Sequence, residues 1–392
     1  MLKPFLLIVG TLFTLNFSSD PGTAIPVQNI NPADTSDTWT FKPFVKLDNV
    51  NPVLTPGTGS FFDPIRKAKI YWEAKDVFNP AIVTRNGKVY MLYRAQDKVG
   101  KPAGTSRIGL AVSTDAVHFK RMPAPVFYPD NDAFKPEEWE GGCEDPRVVA
   151  DSKGTYYMTY TAYDGTTARL FIATSADLLH WKKYGSVFTK AYHGKYAKKW
   201  SKSGAIVSKY VNGQAIATKI NGKYWMYWGD AQIWCATSDD LINWTPVEMK
   251  AGEQPPVKLR DQALTVPDLK VVIPTRSGKF DSDLVESGPP AILTNKGILL
   301  IYNSKNLPKT GDAYLPDGTY AAGEVLFDKN DPTRIIHRTN HYFIKPEKPY
   351  EITGQVNQVC FLEGLTQFKG AWYLYYGTAD SKIAVAKSAG LK

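Results

Sequence analysis

Short apolar runs rich in aromatics alternate along this chain with small-residue runs and polar turns, and the alternation repeats. Val89-Tyr-Met-Leu-Tyr-Arg94 precedes Ile108-Gly-Leu-Ala-Val-Ser-Thr-Asp115, and Tyr156-Tyr-Met-Thr-Tyr-Thr161 precedes Leu170-Phe-Ile-Ala-Thr-Ser-Ala-Asp177. Tyr224-Trp-Met-Tyr-Trp228 precedes Ile233-Trp-Cys-Ala-Thr-Ser-Asp239, Ile298-Leu-Leu-Ile-Tyr302 precedes Ala322-Gly-Glu-Val-Leu-Phe-Asp328, and Trp372-Tyr-Leu-Tyr-Tyr376 precedes Ile383-Ala-Val-Ala386. Runs of this length bounded by Asn-Gly turns, such as Asn86-Gly87 and Asn221-Gly222, predict β-hairpins. Long helical periodicity is absent. The equivalent tyrosines 93, 160, 227, 302 and 376 stand 67 to 75 residues apart, a period of the kind that marks propellers and arrays. Five copies of a four-strand unit predict an all-β, five-bladed β-propeller whose inner strands converge on one funnel. A pair of β-sandwiches would explain the strands but not five aligned copies.

With 392 residues, 43% of them hydrophobic, the chain can bury a large core, and repetitive β folds run long as single units. The predicted organisation is a signal peptide over 1–24, a lead-in segment over 25–75 and a propeller over 76–392. Lys3, the apolar run from Phe5 to Phe17 and the small-residue end Gly22-Thr-Ala24 have the layout of an export signal. The run is too short to span a bilayer comfortably, which points to a secreted or periplasmic protein with no membrane span.

The net charge of +9 raises a polyanion partner, but the lysines are scattered and no nucleic-acid motif is present. The tightest group, Lys195 to Lys202, reads as a solvated loop. Cys143, Cys235 and Cys360 are too few for a disulfide framework and sit in apolar runs, so they read as buried small hydrophobes, with one disulfide plus a free thiol as the alternative. No Cys-x-x-Cys and no ligand spacing among five histidines occurs, so neither metal nor cofactor is expected.

In a small propeller the polar positions flanking the inner strands face one cavity. Those positions are Asn79 and Arg94 in blade one, and Glu144, Asp145 and Arg147 in blade two. Blade three offers Lys202, Lys219 and Asp230, blade four Glu286, Asn303 and Glu324, and blade five Glu363 and Asp380. Carboxylates and cations from five blades suit sugar chemistry, in which a carboxylic acid protonates a leaving oxygen.

The ordered set Asn79-Pro80-Ala81, Tyr93-Arg94, Gly142-Cys-Glu-Asp-Pro-Arg147, Thr159-Tyr-Thr-Ala-Tyr163, Gly288-Pro-Pro290 and Tyr375-Tyr-Gly-Thr-Ala-Asp380 resembles glycoside hydrolase family 130. The resemblance covers roughly residues 75 to 390. It implies a five-bladed propeller acting on β-mannosides, in most members by inverting phosphorolysis and in a smaller branch by exo-acting hydrolysis. It further implies Asp145 as general acid, its proton relayed through a sugar hydroxyl, with Asn79, Arg94 and Asp380 holding the sugar before the cleaved bond. Glu144 gives Asp145 a like-charge reason to stay protonated, opposed by Arg147.

The nucleophile turns on whether phosphate has a home. Family phosphorylases carry His-Arg-Pro after the third inner strand and Tyr-His-Gly after the fourth, where this chain has Trp228-Gly229-Asp230 and Tyr302-Asn303-Ser304. Lys219 matches a retained family lysine, and Lys202 stands in for an arginine. Two lost cations, at roughly 1.5–3 kcal/mol per charged hydrogen bond, favour water, with Glu286 or Glu324 as base and Asp230 as a third candidate. The expectation is therefore a secreted, exo-acting, inverting glycosidase on β-mannosides. A β-mannoside phosphorylase and a non-catalytic carbohydrate-binding propeller are the alternatives.

Overall fold

The computed structural model describes residues 38–101, 103–253 and 268–392; the expected signal peptide and the first part of the lead-in lie outside them. Five antiparallel sheets, each stepping outward from an inner strand, follow one another along the chain. Blade one runs Asp76–Arg85, Lys88–Gln96, Ser106–Ser113 and Lys120–Arg121. Blade two runs Gly142–Ala150, Tyr156–Tyr163, Ala168–Ser175 and Lys182–Ser186. Ala205–Ile206, Tyr224–Trp228, Ile233–Ser238 and Trp244–Pro246 make blade three. Leu284–Ser287, Ile298–Lys305, Tyr320–Phe327 and Ile335–Arg338 make blade four. Blade five consists of Cys360–Phe368, Ala371–Thr378 and Lys382–Ser388, and its outermost strand is Val45–Lys46. The lead-in therefore supplies the strand that closes the last blade, so first and last parts of the propeller are hydrogen-bonded to each other.

The tyrosines that set the sequence period share one job. In four blades the second-strand tyrosine donates to a buried acid from the segment entering that blade, and a cation from the outermost strand pairs with the same acid. Tyr93 and Arg121 meet Glu73, each at 2.8 Å. Tyr160 meets Glu138 at 2.9 Å and Lys183 meets it at 2.5 Å. Tyr302 and Arg338 meet Asp281. Tyr376 meets Glu351 at 2.9 Å, with Lys46 of the closing strand at 2.7 Å. Each triad clamps the entry loop and the fourth strand to the middle of its blade. Blade three is the exception, where Tyr227 donates to the Pro332 carbonyl at 2.8 Å.

Blade three also carries an insertion. After its two-residue inner strand the chain makes a hairpin, Ser208–Val211 with Gln214–Ala217, that bridges to Ala150 of blade two and to Ile292 of blade four. Tyr210 donates from this hairpin to the Leu365 carbonyl and packs on Trp372 at 4.8 Å. The hairpin thus ties three blades together at the end of the axis where the Asn86-Gly87 and Lys369-Gly370 turns lie. Cys143, Cys235 and Cys360 are buried and unpaired, as small apolar side chains in strands. Among the described residues no helix is long and apolar enough to cross a membrane.

Charged hydrogen bonds contribute more than neutral ones, about 1.5–3 against about 0.5–1.5 kcal/mol. Tyr93→Phe, which removes the hydrogen bond to the Arg121-paired Glu73, is therefore expected to cost more stability in urea unfolding than Tyr227→Phe, whose partner is only a carbonyl. Equal losses would show that the triads are ordinary packing.

Candidate active site

Three inner strands are interrupted near the axis by a bulge, at Phe78/Pro80, Glu144/Arg147 and Leu362/Gly364. A bulge leaves a residue out of the ladder and re-aims its side chain. The residues so released are Asn79, Asp145 and Glu363. Asn79 and Asp145 sit at φ 48° and 49°, in the left-handed region, and each precedes a proline. Positive φ in buried, non-glycine residues is strain that clusters at functional sites.

Around Asp145 the expected constellation assembles. Asn79 Nδ2 donates to Asp145 Oδ1 at 2.9 Å, and Arg94 Nη1 donates to the same oxygen at 3.0 Å. Arg94 Nη2 reaches Glu144 at 2.6 Å while its Nε bonds Ser106, and the guanidinium lies over the Phe78 ring. Lys202 Nζ stands 3.5 Å from Asp145 Oδ2. Burial opposes the charge on Asp145, but Arg94, Lys202, the Asn79 hydrogen bond and Arg147 outweigh it and hold the carboxyl well below the usual carboxylate range. Asp145 is therefore ionised before substrate arrives. Glu144 therefore does not keep Asp145 protonated as expected: the surrounding cations outweigh it, and burial raises Glu144 instead.

The remaining carboxyls of the cavity move the other way. Burial pushes Glu286 up to about 7, aided by Asp230 and opposed by Lys202 and Arg147, and Ser203 donates to it. Burial also raises Asp230, which accepts from Trp200 Nε1 at 2.8 Å. Asp380 rises to about 6, through burial set against Arg94. So Asn79, Arg94, Glu144, Asp145, Lys202, Asp230, Glu286 and Asp380 lie in one electrostatic cluster.

Four expected site residues fall elsewhere. Arg147 is 2% exposed; its donors run to the carbonyls of Gly288, Ser287 and Asp145 itself, so it stands behind the site rather than facing a sugar. Asn303 spends its side-chain amide on both backbone groups of Leu362. Glu324 is on the third strand of its blade, away from the axis, and accepts from the Phe41 amide at 2.9 Å. Lys219 is exposed, over the Tyr224 ring at the turn end of blade three. Ser203, Trp200 and Ser106 were missed. Ser203 had a signal, since Ser203-Gly204-Ala205-Ile206 lines up with Asn79-Pro80-Ala81-Ile82, and Ser203 too adopts a positive φ, 57°.

The glycoside hydrolase 130 family model, described as beta-1,4-mannooligosaccharide phosphorylase, matches residues 62–390. A 1,2-beta-oligomannan phosphorylase from Thermoanaerobacter sp. (strain X514) is 31% identical over 353 residues, spanning 87% of this chain and 97% of that relative. A solved glycosyl hydrolase from Bacteroides ovatus is 45% identical, with TM-score 0.82 over 90% of this chain and 97% of its own. Another solved structure, 46% identical with TM-score 0.83 over 89% and 94% of the two chains, comes with the statement that the GH130 family of mannoside phosphorylases contains glycoside hydrolases that target beta-1,2 mannosidic linkages in Candida mannan.

The family description and the curated relative are phosphorylases, and they correct the expectation of hydrolysis as the main reading. Two features of the structure bear on that expectation: the Asn303 amide is taken up by the Leu362 backbone, and burial raises the Asp230 carboxyl beside Lys202.

Glu286 carries a proton in the folded protein at pH values where an unfolded glutamate has lost it. Stability from that proton is complete below the unfolded value and is lost as pH rises through about 7. Glu286→Gln is expected to flatten the fall in Tm between about pH 5 and pH 8. An unchanged slope would place the proton elsewhere.

Proposed function

The chain belongs to glycoside hydrolase family 130 and is an enzyme of that family, and from that premise we propose that it cleaves β-mannosides by inverting phosphorolysis. The observation that carries the reading is the convergence of Asn79, Arg94, Lys202 and Asp380 on the bulged Asp145. Asn79, Arg94 and Asp380 fix the hydroxyls of the terminal mannose, which positions the ring for attack. A phosphate oxygen forms a bond to the anomeric carbon from the face opposite the leaving group. The glycosidic C–O bond breaks, and the leaving oxygen takes a proton by way of Asp145. Overall the proton of hydrogen phosphate ends on the released alcohol, and the product is α-mannose 1-phosphate. Asp145, ionised at rest, takes up its proton from solvent when a sugar hydroxyl loosens its pairing with Arg94, and the proton that hydrogen phosphate gives up restores the balance.

Phosphate would be repelled by a wall of ionised carboxylates. Burial instead raises both Glu286 and Asp230 beside Lys202, so that wall repels an anion less than its formal charge suggests. We further propose export of the chain, resting on Lys3 and the apolar run Phe5 to Phe17.

Incubation with β-1,2- and β-1,4-manno-oligosaccharides, with and without inorganic phosphate, tests the reading. Phosphate-dependent release of mannose 1-phosphate is expected, with Asp145→Asn lowering kcat by about 10²-fold or more. Equal release of free mannose in phosphate-free buffer would overturn phosphorolysis.

A further inference from the structure

Glu363 is the third bulged residue at the axis and the only one the mechanism above leaves idle. It is fully buried. Its Oε1 lies 3.0 Å from Arg147 Nη2, yet neither carboxyl oxygen receives a hydrogen bond among the described residues. Arg147 directs its donors to three backbone carbonyls instead, two in blade four and one that of Asp145. A buried carboxylate without hydrogen bonds is among the costliest groups a protein can hold, whereas a neutral carboxylic acid is far cheaper to bury.

We propose that Glu363 is a positioning residue held as a neutral carboxylic acid, so that the Arg147 guanidinium acts on the Asp145 bulge and not on a counter-ion in blade five. The ionisable groups that face Glu363 are Arg147 and Asp145 of blade two, Glu286 of blade four and Lys202 before blade three. Burial, the largest effect, and the two acids oppose its charge; Arg147 and Lys202 favour it, and burial prevails. Were Glu363 ionised, it would pair with Arg147 as a counter-ion and offset part of the field that Arg147 exerts on Asp145. A neutral Glu363 gives the inner strand of blade five a polar group of the right shape without that effect.

The inference rests on the proposed reaction for its kinetic consequence but not for its direct test. Difference infrared spectroscopy of the full chain at neutral pH, wild type against Glu363→Gln, is expected to show the carbonyl stretch of a protonated carboxylic acid that the variant lacks. Because glutamine is neutral and of the same shape, Glu363→Gln should keep kcat/KM within about threefold at neutral pH. It should also leave the acid side of the pH–rate profile in place. Glu363→Leu keeps neutrality without the polar head, and is expected to lose more than Glu363→Gln. Absence of the infrared band shows an ionised Glu363 and overturns the proposal, even if the enzyme proves to use a different nucleophile. A loss of about 100-fold or more in Glu363→Gln would overturn it as well, by showing that the charge is needed.

Discussion

The buried guanidinium of Arg147 holds the centre of this molecule together. It leaves blade two, crosses to the Ser287 and Gly288 carbonyls of blade four, and lies against Glu363 of blade five. It also touches the carbonyl of Asp145 two residues earlier, at 3.3 Å. An arginine is suited to this because its planar fork fixes several acceptors at once. The Asp145 bulge therefore cannot relax without breaking contacts between blades, which is how a strained φ is kept in place. Site geometry and the contact between blades two, four and five thus depend on the same side chain.

Around that centre the charges are arranged by origin. Cations reach Asp145 from blade one, as Arg94, and from the segment before blade three, as Lys202. Acids from blades three, four and five surround it but are raised by burial, so the cavity is less negative than its formal count. Asp145 is the one carboxyl of the group driven firmly toward its charged form. Sorting several like groups into different protonation states is how one pocket separates the roles of acid, clamp and wall. A sugar hydroxyl that came between Asp145 and Arg94 would loosen the pairing and let the acid take up its proton.

Much of the fold was legible because it is written locally. The tyrosines at 93, 160, 227, 302 and 376 mark the blades in sequence, and in four of them they also mark the acid–cation clamps. The partners of those clamps were hidden by distance: Lys46 and Glu351 are 305 residues apart. In the site, residues on inner strands or at their entrances were found where expected, including Asn79, Asp145, Lys202 and Glu286. Glu324 and Lys219 were misplaced because a strand list does not say how far a strand lies from the axis or which end of a blade a turn occupies. Arg147 and Asn303 were misread for another reason. Both are polar and near the axis, but backbone carbonyls and amides of other blades had already claimed them.

The most direct check is to determine the structure of the Asp145→Asn protein with a β-linked mannobiose bound. The account predicts the terminal ring held by Asn79, Arg94 and Asp380, with the glycosidic oxygen on the side of residue 145. A sugar bound at any other place, with these residues unchanged in their mutual contacts, would contradict it.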